Sequence, residues 1–150
     1  MRFRFIFLAI CLIAIPALQA QSTYMVNSPN GALRVTVETK PSLSWQLSLR
    51  NQPITAPAPL SMTFANIGTL GSNPEILKID RGTTDLVRRP EVRQKSATVR
   101  DNFNEMTFTF KGDWGVVFRA YNDGVAYRFF TNFNGKTTVL DETYAFRPTF

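Results

Sequence analysis

FRAYNDGVAYRFF, residues 118–130, sets two short aromatic-rich runs on either side of Asn122, Asp123 and Gly124. Aspartate-glycine between alternating segments is a hairpin signal, because a tight two-residue turn calls for positive φ. The reading is therefore an antiparallel pair, Val116–Tyr121 against Ala126–Thr131, closed at Asp123 and Gly124. In that register one face collects Val116, Phe118, Ala120, Tyr127 and Phe129, with Val125 left out. The opposite face carries Val117, Tyr121, Ala126 and Phe130 together with Arg119 and Arg128, the two arginines directly opposed. Like charges facing each other cost a fraction of a kcal/mol. Burying one aromatic side chain gives back about 2 kcal/mol or more. Core formation thus outweighs the repulsion, provided a carboxylate or water separates the guanidinium groups. Asp101, Glu105 and Asp141 are the candidate partners; two arginines snorkelling on a wet face are the other reading.

Period-two alternation continues outward from this hairpin. Leu33, Val35 and Val37 alternate with Arg34, Thr36 and Glu38. Leu43, Trp45, Leu47 and Leu49 do the same, as do Leu60, Met62 and Phe64, and Met106, Phe108 and Phe110. Such segments fit strands with one buried and one wet face. Turn chemistry separates them at SPNG (28–31), KPS (40–42), GTLGSNP (68–74), KGDWG (111–115) and NFNG (132–135). Pro53, Pro57 and Pro59 mark an extended connector. No helical period of convincing length follows Ala20. The expected fold is all-β, an antiparallel β-sandwich. Its core draws on 13 phenylalanines and on Trp45. Trp114 lies among turn residues and is expected to be less buried than Trp45.

The first 20 residues read as something other than fold. A basic MRFR precedes the apolar run Phe5–Ile15, Pro16 interrupts it, and ALQA ends on Ala20. This is the pattern of a secretory signal peptide, and an 11-residue apolar run is short of the ~20 that a membrane span requires. Residues 21–150 then form one domain-sized unit. Its localisation is expected to be periplasmic or extracellular. The sole cysteine, Cys11, leaves with the signal, so burial and not disulfides must hold the fold. Loss of Arg2 and Arg4 lowers the 17 basic residues to 15 against 11 acidic ones. The densest basic run, Arg88–Arg100, is interrupted by Pro90 and Glu91 and follows no helical stripe, which argues against a nucleic-acid partner.

Chemistry is sparse. With no histidine, serine–histidine and cysteine–histidine catalysis and the usual zinc sites are excluded. Carboxylates are left. Asp101 and Glu105, with Asn102 and Asn104, offer oxygens for calcium; the plainer reading is a turn leading to a strand that starts at Glu105. Asp141 and Glu142 are neighbours and point to opposite faces of a strand, so they do not make a glycosidase pair. Trp114 with Tyr121 is the one aromatic pair nominated for stacking on a sugar.

Four segments in order, SPNGALRVTV (28–37), LSWQLSLRNQPI (43–54), VRDNFNEMTFTF (99–110) and FRAYNDGVAYRFF (118–130), resemble the N-terminal domain of glycoside hydrolase family 97. The likeness spans about Asn27 to Phe146. It implies a galactose-mutarotase-like β-supersandwich, here incomplete, from an exported calcium-dependent α-glucosidase or α-galactosidase. In such proteins the sandwich precedes a catalytic (β/α)8 barrel and a small C-terminal β domain. The catalytic carboxylates lie in the barrel; the calcium ligands are glutamates, mostly of the barrel, with one from late in the N-terminal domain. None has a counterpart here, so the resemblance implies no catalytic and no metal residue in this chain, and it assigns no substrate-binding residue. The role implied is to pack on the barrel and shape one side of its cleft, in a chain that reads as a fragment. Rival readings are a free-standing carbohydrate-binding module and an envelope protein that binds a partner through an open sheet edge.

Overall fold

The computed structural model describes residues 22–92 and 97–149. The signal-peptide reading of residues 1–20 and the middle of the basic run lie outside the described residues. Eleven strands and no helix are found among the described residues. They are β1 (Thr23–Asn27), β2 (Leu33–Glu38), β3 (Ser44–Leu49), β4 (Gln52–Pro53), β5 (Ala58–Phe64), β6 (Gly68–Leu70), β7 (Ile76–Arg88), β8 (Val99–Phe110), β9 (Trp114–Tyr121), β10 (Val125–Thr131) and β11 (Val139–Tyr144).

Two antiparallel sheets result. One runs β1-β2-β3-β5-β11, with β4 beside β3 and β6 beside β5; the other runs β10-β9-β8-β7. The alternating segments supply the interior, as their period requires. Val35, Val37, Leu43, Leu60, Met106, Phe108, Phe110, Val116, Phe118 and Ala120 are all buried in one cluster between the sheets. Edge-to-face contacts of Phe108 with Tyr24 and with Phe118 tie β8 to both sheets. An all-β sandwich held by aromatic burial is what the alternation predicted.

Several details differ from the sequence reading. The hairpin pairs Ala120 with Val125 and Phe118 with Tyr127, and the Tyr121 amide donates to the Gly124 carbonyl at 2.8 Å. The two-residue loop is therefore Asn122–Asp123, not Asp123–Gly124. Gly124 is not among the glycines with positive φ. The register moves by two residues, which preserves the faces: Val125 joins Tyr127 and Phe129 against the core. Arg119 now faces Ala126 and Arg128 faces Val117, so the direct arginine pair never forms.

The second difference is Trp114. It opens β9 and is 4% exposed, against 9% for Trp45. The tight turn before it, with Gly112 at φ 95° and Asp113 at φ 60°, is finished by residue 113. Trp114 then packs 4.3 Å from Phe110 and stacks with Phe129. The expected order of burial is reversed because turn composition ended one residue sooner than the pattern suggested. Two further segments read as turns are strands: Gly68–Leu70 pairs with β5, and Asp101–Asn104 lies inside β8. β7, 13 residues long, had no clear signal at all, since charged residues and Gly82 interrupt its alternation.

Candidate functional site

The residues with most chemistry gather on the outer face of the four-stranded sheet. Register places Glu105 of β8 opposite Arg119 of β9, and Phe103 opposite Tyr121. Arg119 Nε donates to Glu105 Oε2 at 2.6 Å, and its guanidinium lies 4.3 Å from the centre of the Phe103 ring. The hydrogen bond to Glu105 holds the Arg119 guanidinium above its already high ordinary range, and partial burial opposes it. Phe130 of β10 rests over Gly115, where a Cβ would overlap the Phe108 carbonyl and the Phe130 ring. Of the three carboxylates nominated for the arginines, Glu105 takes Arg119. Asp101 lies 3.6 Å from Arg88. Asp141 accepts only a long bond from Thr143 Oγ1, at 3.4 Å.

The arrangement does not make a calcium site. On strand β8 Asp101 and Glu105 point to one face while Asn102 and Asn104 point to the other. Asn104 accepts from Thr83 Oγ1 and donates to the Asn27 carbonyl, a polar stitch between the two sheets. Arg81 makes a similar stitch to the Met25 carbonyl. Four oxygens that alternate in direction, with both carboxylates taken by arginines, do not fit a cation. No cluster of three or more acidic, cysteine or histidine side chains suited to a metal occurs among the described residues.

Nor does it make a hydrolytic pair. Asp101 and Glu105 are four strand positions apart, roughly 13 Å at the usual rise per residue, beyond the separation of glycosidase carboxyls. Asp141 and Glu142 point to opposite faces of β11, as expected. Glu142 accepts a hydrogen bond from Tyr127 Oη at 3.0 Å, linking β11 to β10. Burial, reinforced by Glu142, pushes the Tyr127 phenol well above its ordinary value. The pair nominated for sugar stacking is taken apart by the fold: Trp114 points into the core and Tyr121 lies on the outer face beside Phe103. The inter-sheet stitches were missed because Asn27, Arg81 and Thr83 sit in segments with no motif; only the register reveals them.

Fold and site together define a β-sandwich module in which Asp85, Glu105 and Glu142 each accept a hydrogen bond from a neighbouring strand. The Glycosyl-hydrolase 97 N-terminal family model matches residues 26–149, and the chain belongs to that family. It is 36% identical over 123 residues to a retaining alpha-galactosidase of Bacteroides thetaiotaomicron, covering 82% of this chain and 18% of that protein. Among solved structures it resembles a glycoside hydrolase family 97 enzyme from Pseudoalteromonas sp. strain K8 in complex with acarbose. That match has a TM-score of 0.74 and 21% identity, over 84% of this chain and 20% of the other. A beta-arabinopyranosidase matches with TM-score 0.74 and 25% identity, over 83% and 21%. The chain thus spans about a fifth of the length of these relatives. In the family's multidomain enzymes this domain sits with a catalytic barrel.

Proposed function

We propose that this chain is the non-catalytic N-terminal sandwich of an exported, calcium-dependent α-glycosidase, where it supports the catalytic barrel and flanks its cleft. The observation that carries the reading is the family match over nearly all described residues, joined to a site whose carboxylates are bound to arginines, lysines and a tyrosine. The 36% identity to a retaining alpha-galactosidase supports an α-glycoside as the substrate of the whole enzyme. Calcium, in this reading, is held by groups other than Asp101 and Glu105. Export rests on the signal-like residues 1–20. The carbohydrate-binding alternative has lost its nominated platform with the burial of Trp114.

The test is hydrolysis by the purified chain. Aryl α-galactosides and α-glucosides should remain intact with or without added calcium. Turnover that co-purifies with the chain and disappears in Glu105→Gln or Asp101→Asn would overturn the proposal.

A further inference from the structure

Two asparagine–glycine pairs occur in the sequence, Asn30–Gly31 and Asn134–Gly135. Both are exposed, the first in the connection between β1 and β2, the second in that between β10 and β11. Both glycines have positive φ, 72° and 87°, and a Cβ added to either would meet nothing within 4 Å. Asparagine before glycine is the pair most prone to lose its side-chain amide, because no Cβ keeps the glycine nitrogen from the asparagine Cγ. In that reaction the glycine amide gives up its proton and its nitrogen bonds to Cγ. The Cγ–Nδ2 bond breaks, and Nδ2 leaves as ammonia, taking up the proton that glycine gave. Water then opens the five-membered imide. Attack at Cγ yields aspartate, attack at the main-chain carbonyl yields isoaspartate, and the glycine N–H is restored either way. Asparagine and one water thus become an acid and one ammonia, with no oxidant or reductant.

The fold treats the two pairs differently. At the first, the reacting groups are engaged. The Gly31 amide, which would have to lose its proton, donates to the Ser28 carbonyl at 2.9 Å. Asn30 Oδ1 accepts from Ser28 Oγ at 2.7 Å and from the Ala32 amide at 3.0 Å, so Cγ is held in one orientation. The Asn30 amide donates to Asn122 Oδ1 at 2.9 Å, which fastens this turn to the β9–β10 loop. At the second pair, neither the Asn134 side chain nor the Gly135 amide has a hydrogen-bond partner among the described residues. Its flanks are fixed instead. The Asn132 amide donates to the Asp113 carbonyl at 2.7 Å, the Phe133 ring meets Phe64 edge-on at 5.4 Å, and the Ala65 amide donates to the Thr138 carbonyl at 3.0 Å. The contrast is made by bonds at the reacting atoms and owes nothing to the sheet edges. We infer that Asn134 is a site of spontaneous modification, converting to isoaspartate and aspartate in the folded protein, and that the bonds around Asn30 spare the other pair. The placement limits the damage. At Asn134 the extra main-chain methylene of isoaspartate falls between fixed points, whereas at Asn30 it would pull apart the junction of two hairpins.

The test follows both pairs in one sample. The purified protein is held in mildly alkaline buffer and digested with pepsin at low pH. Mass spectrometry then reads the exchange of ammonia for water at each pair, and electron-transfer fragmentation separates isoaspartate from aspartate. Asn134 should convert at least about tenfold faster than Asn30, the factor expected where two or more hydrogen bonds must open first. In urea the two rates should converge, because both pairs are then the same dipeptide in an open chain. Asn122→Ala should speed conversion at Asn30 several-fold and leave Asn134 unchanged, whereas Asn122→Asp, which keeps the acceptor, should match the unsubstituted chain. Asn122 is exposed and has no positive φ, so the fold is expected to tolerate both changes. A sample fully converted at Asn134 should keep the thermal midpoint of fresh protein. Equal rates at the two pairs in the folded protein, or a difference that persists in urea, would overturn the inference. So would an Asn134 that stays intact in the folded chain while the urea-treated chain loses it, or an Asn30 rate indifferent to Asn122→Ala. A marked fall in the midpoint would overturn the tolerance of the second turn.

Discussion

The middle of the four-stranded sheet and its margin are built from the same kind of sequence, yet they end in different states. Along β9 the inward residues Trp114, Val116, Phe118 and Ala120 are buried, and so are Met106, Phe108 and Phe110 of β8. Along β10 the equivalent residues are half-covered, and on β11 they are open. Alternation and aromatic content are no poorer at the margin. What differs is the number of neighbours: β8 and β9 each have a strand on both sides and a sheet below, while β10 and β11 lack one of these. Burial is therefore set by a segment's place in the sheet order. Hydrophobic pattern says which face turns inward, and only topology says whether anything waits there.

The largest test of this contrast is a matched pair of truncations. Phe108→Ala removes a fully buried ring at the crossing of three aromatic contacts and should cost about 3–5 kcal/mol in urea unfolding. Tyr144→Ala, also inward-facing, should stay within about 0.5 kcal/mol, as exposed positions do. Similar losses at both positions would erase the distinction between middle and margin.

Gly115 sharpens the same point from the outer face. Its missing side chain lets Phe130 of the margin lie flat on β9, and a Cβ there would also meet the Phe108 carbonyl. The backbone cannot retreat without breaking the β8–β9 ladder. Gly115→Ala should therefore lower stability by about 1–3 kcal/mol, the usual range for overpacking. Pairing it with Phe130→Ala should recover part of the ring's share and none of the carbonyl's. A fully additive double variant, measured by the same unfolding, would mean that the ring is not the obstacle.

How much of this was legible follows from where information sits in a chain. The inward faces of β2, β3, β5, β8 and β9 could be read because period-two alternation is local. The family could be read from four motifs in order. Trp114 was misplaced because composition marks turns only to within a residue or two, and Asp113, not Trp114, carries the positive φ. Asp101–Asn104 was read as a turn because Asn and Asp favour turns when nothing else is known. Here β7 captures that segment residue by residue, with the Asp85–Arg100 fork at 2.7 Å on both arms. The partners of Asp101 and Glu105 could be seen only in the fold, because Arg88 and Arg119 are brought to them by cross-strand register.

A smaller effect is expected where middle and margin meet, at Tyr127. Its hydroxyl spans from β10 to Glu142 on β11, and burial raises its pKa in the folded protein. The unfolded chain releases this proton near 10.0, the ordinary phenol value, while the folded chain holds it to higher pH. The folded state thus binds more protons above pH 10, and stability must fall as pH rises through that range. Tyr127→Phe should lose about 1 kcal/mol or less at pH 7, one hydrogen bond's worth. It should also show a flatter decline between pH 9 and about 11.5. An unchanged alkaline slope in urea midpoints would place the titrating group elsewhere.

The smallest effect is expected at Gly124, where sequence reasoning predicted a large one. If Gly124 were the second residue of a two-residue turn with positive φ, a β-branched residue there would be strained. The observed loop is Asn122–Asp123, and Gly124 accepts the Tyr121 amide bond through its carbonyl, which any residue can do. Its φ is outside the left-handed region, and a Cβ added there meets nothing within 4 Å. Valine would also restrict the unfolded chain more than glycine does, a contribution of the order of 0.4–1 kcal/mol in favour of folding where the backbone is compatible. Gly124→Val should therefore be neutral or slightly stabilising, while Gly112→Val, at φ 95° in the turn before Trp114, should be clearly destabilising. Thermal unfolding of the two variants side by side decides the hairpin register. A marked loss at Gly124 would return the turn to Asp123–Gly124 and bring Arg119 face to face with Arg128.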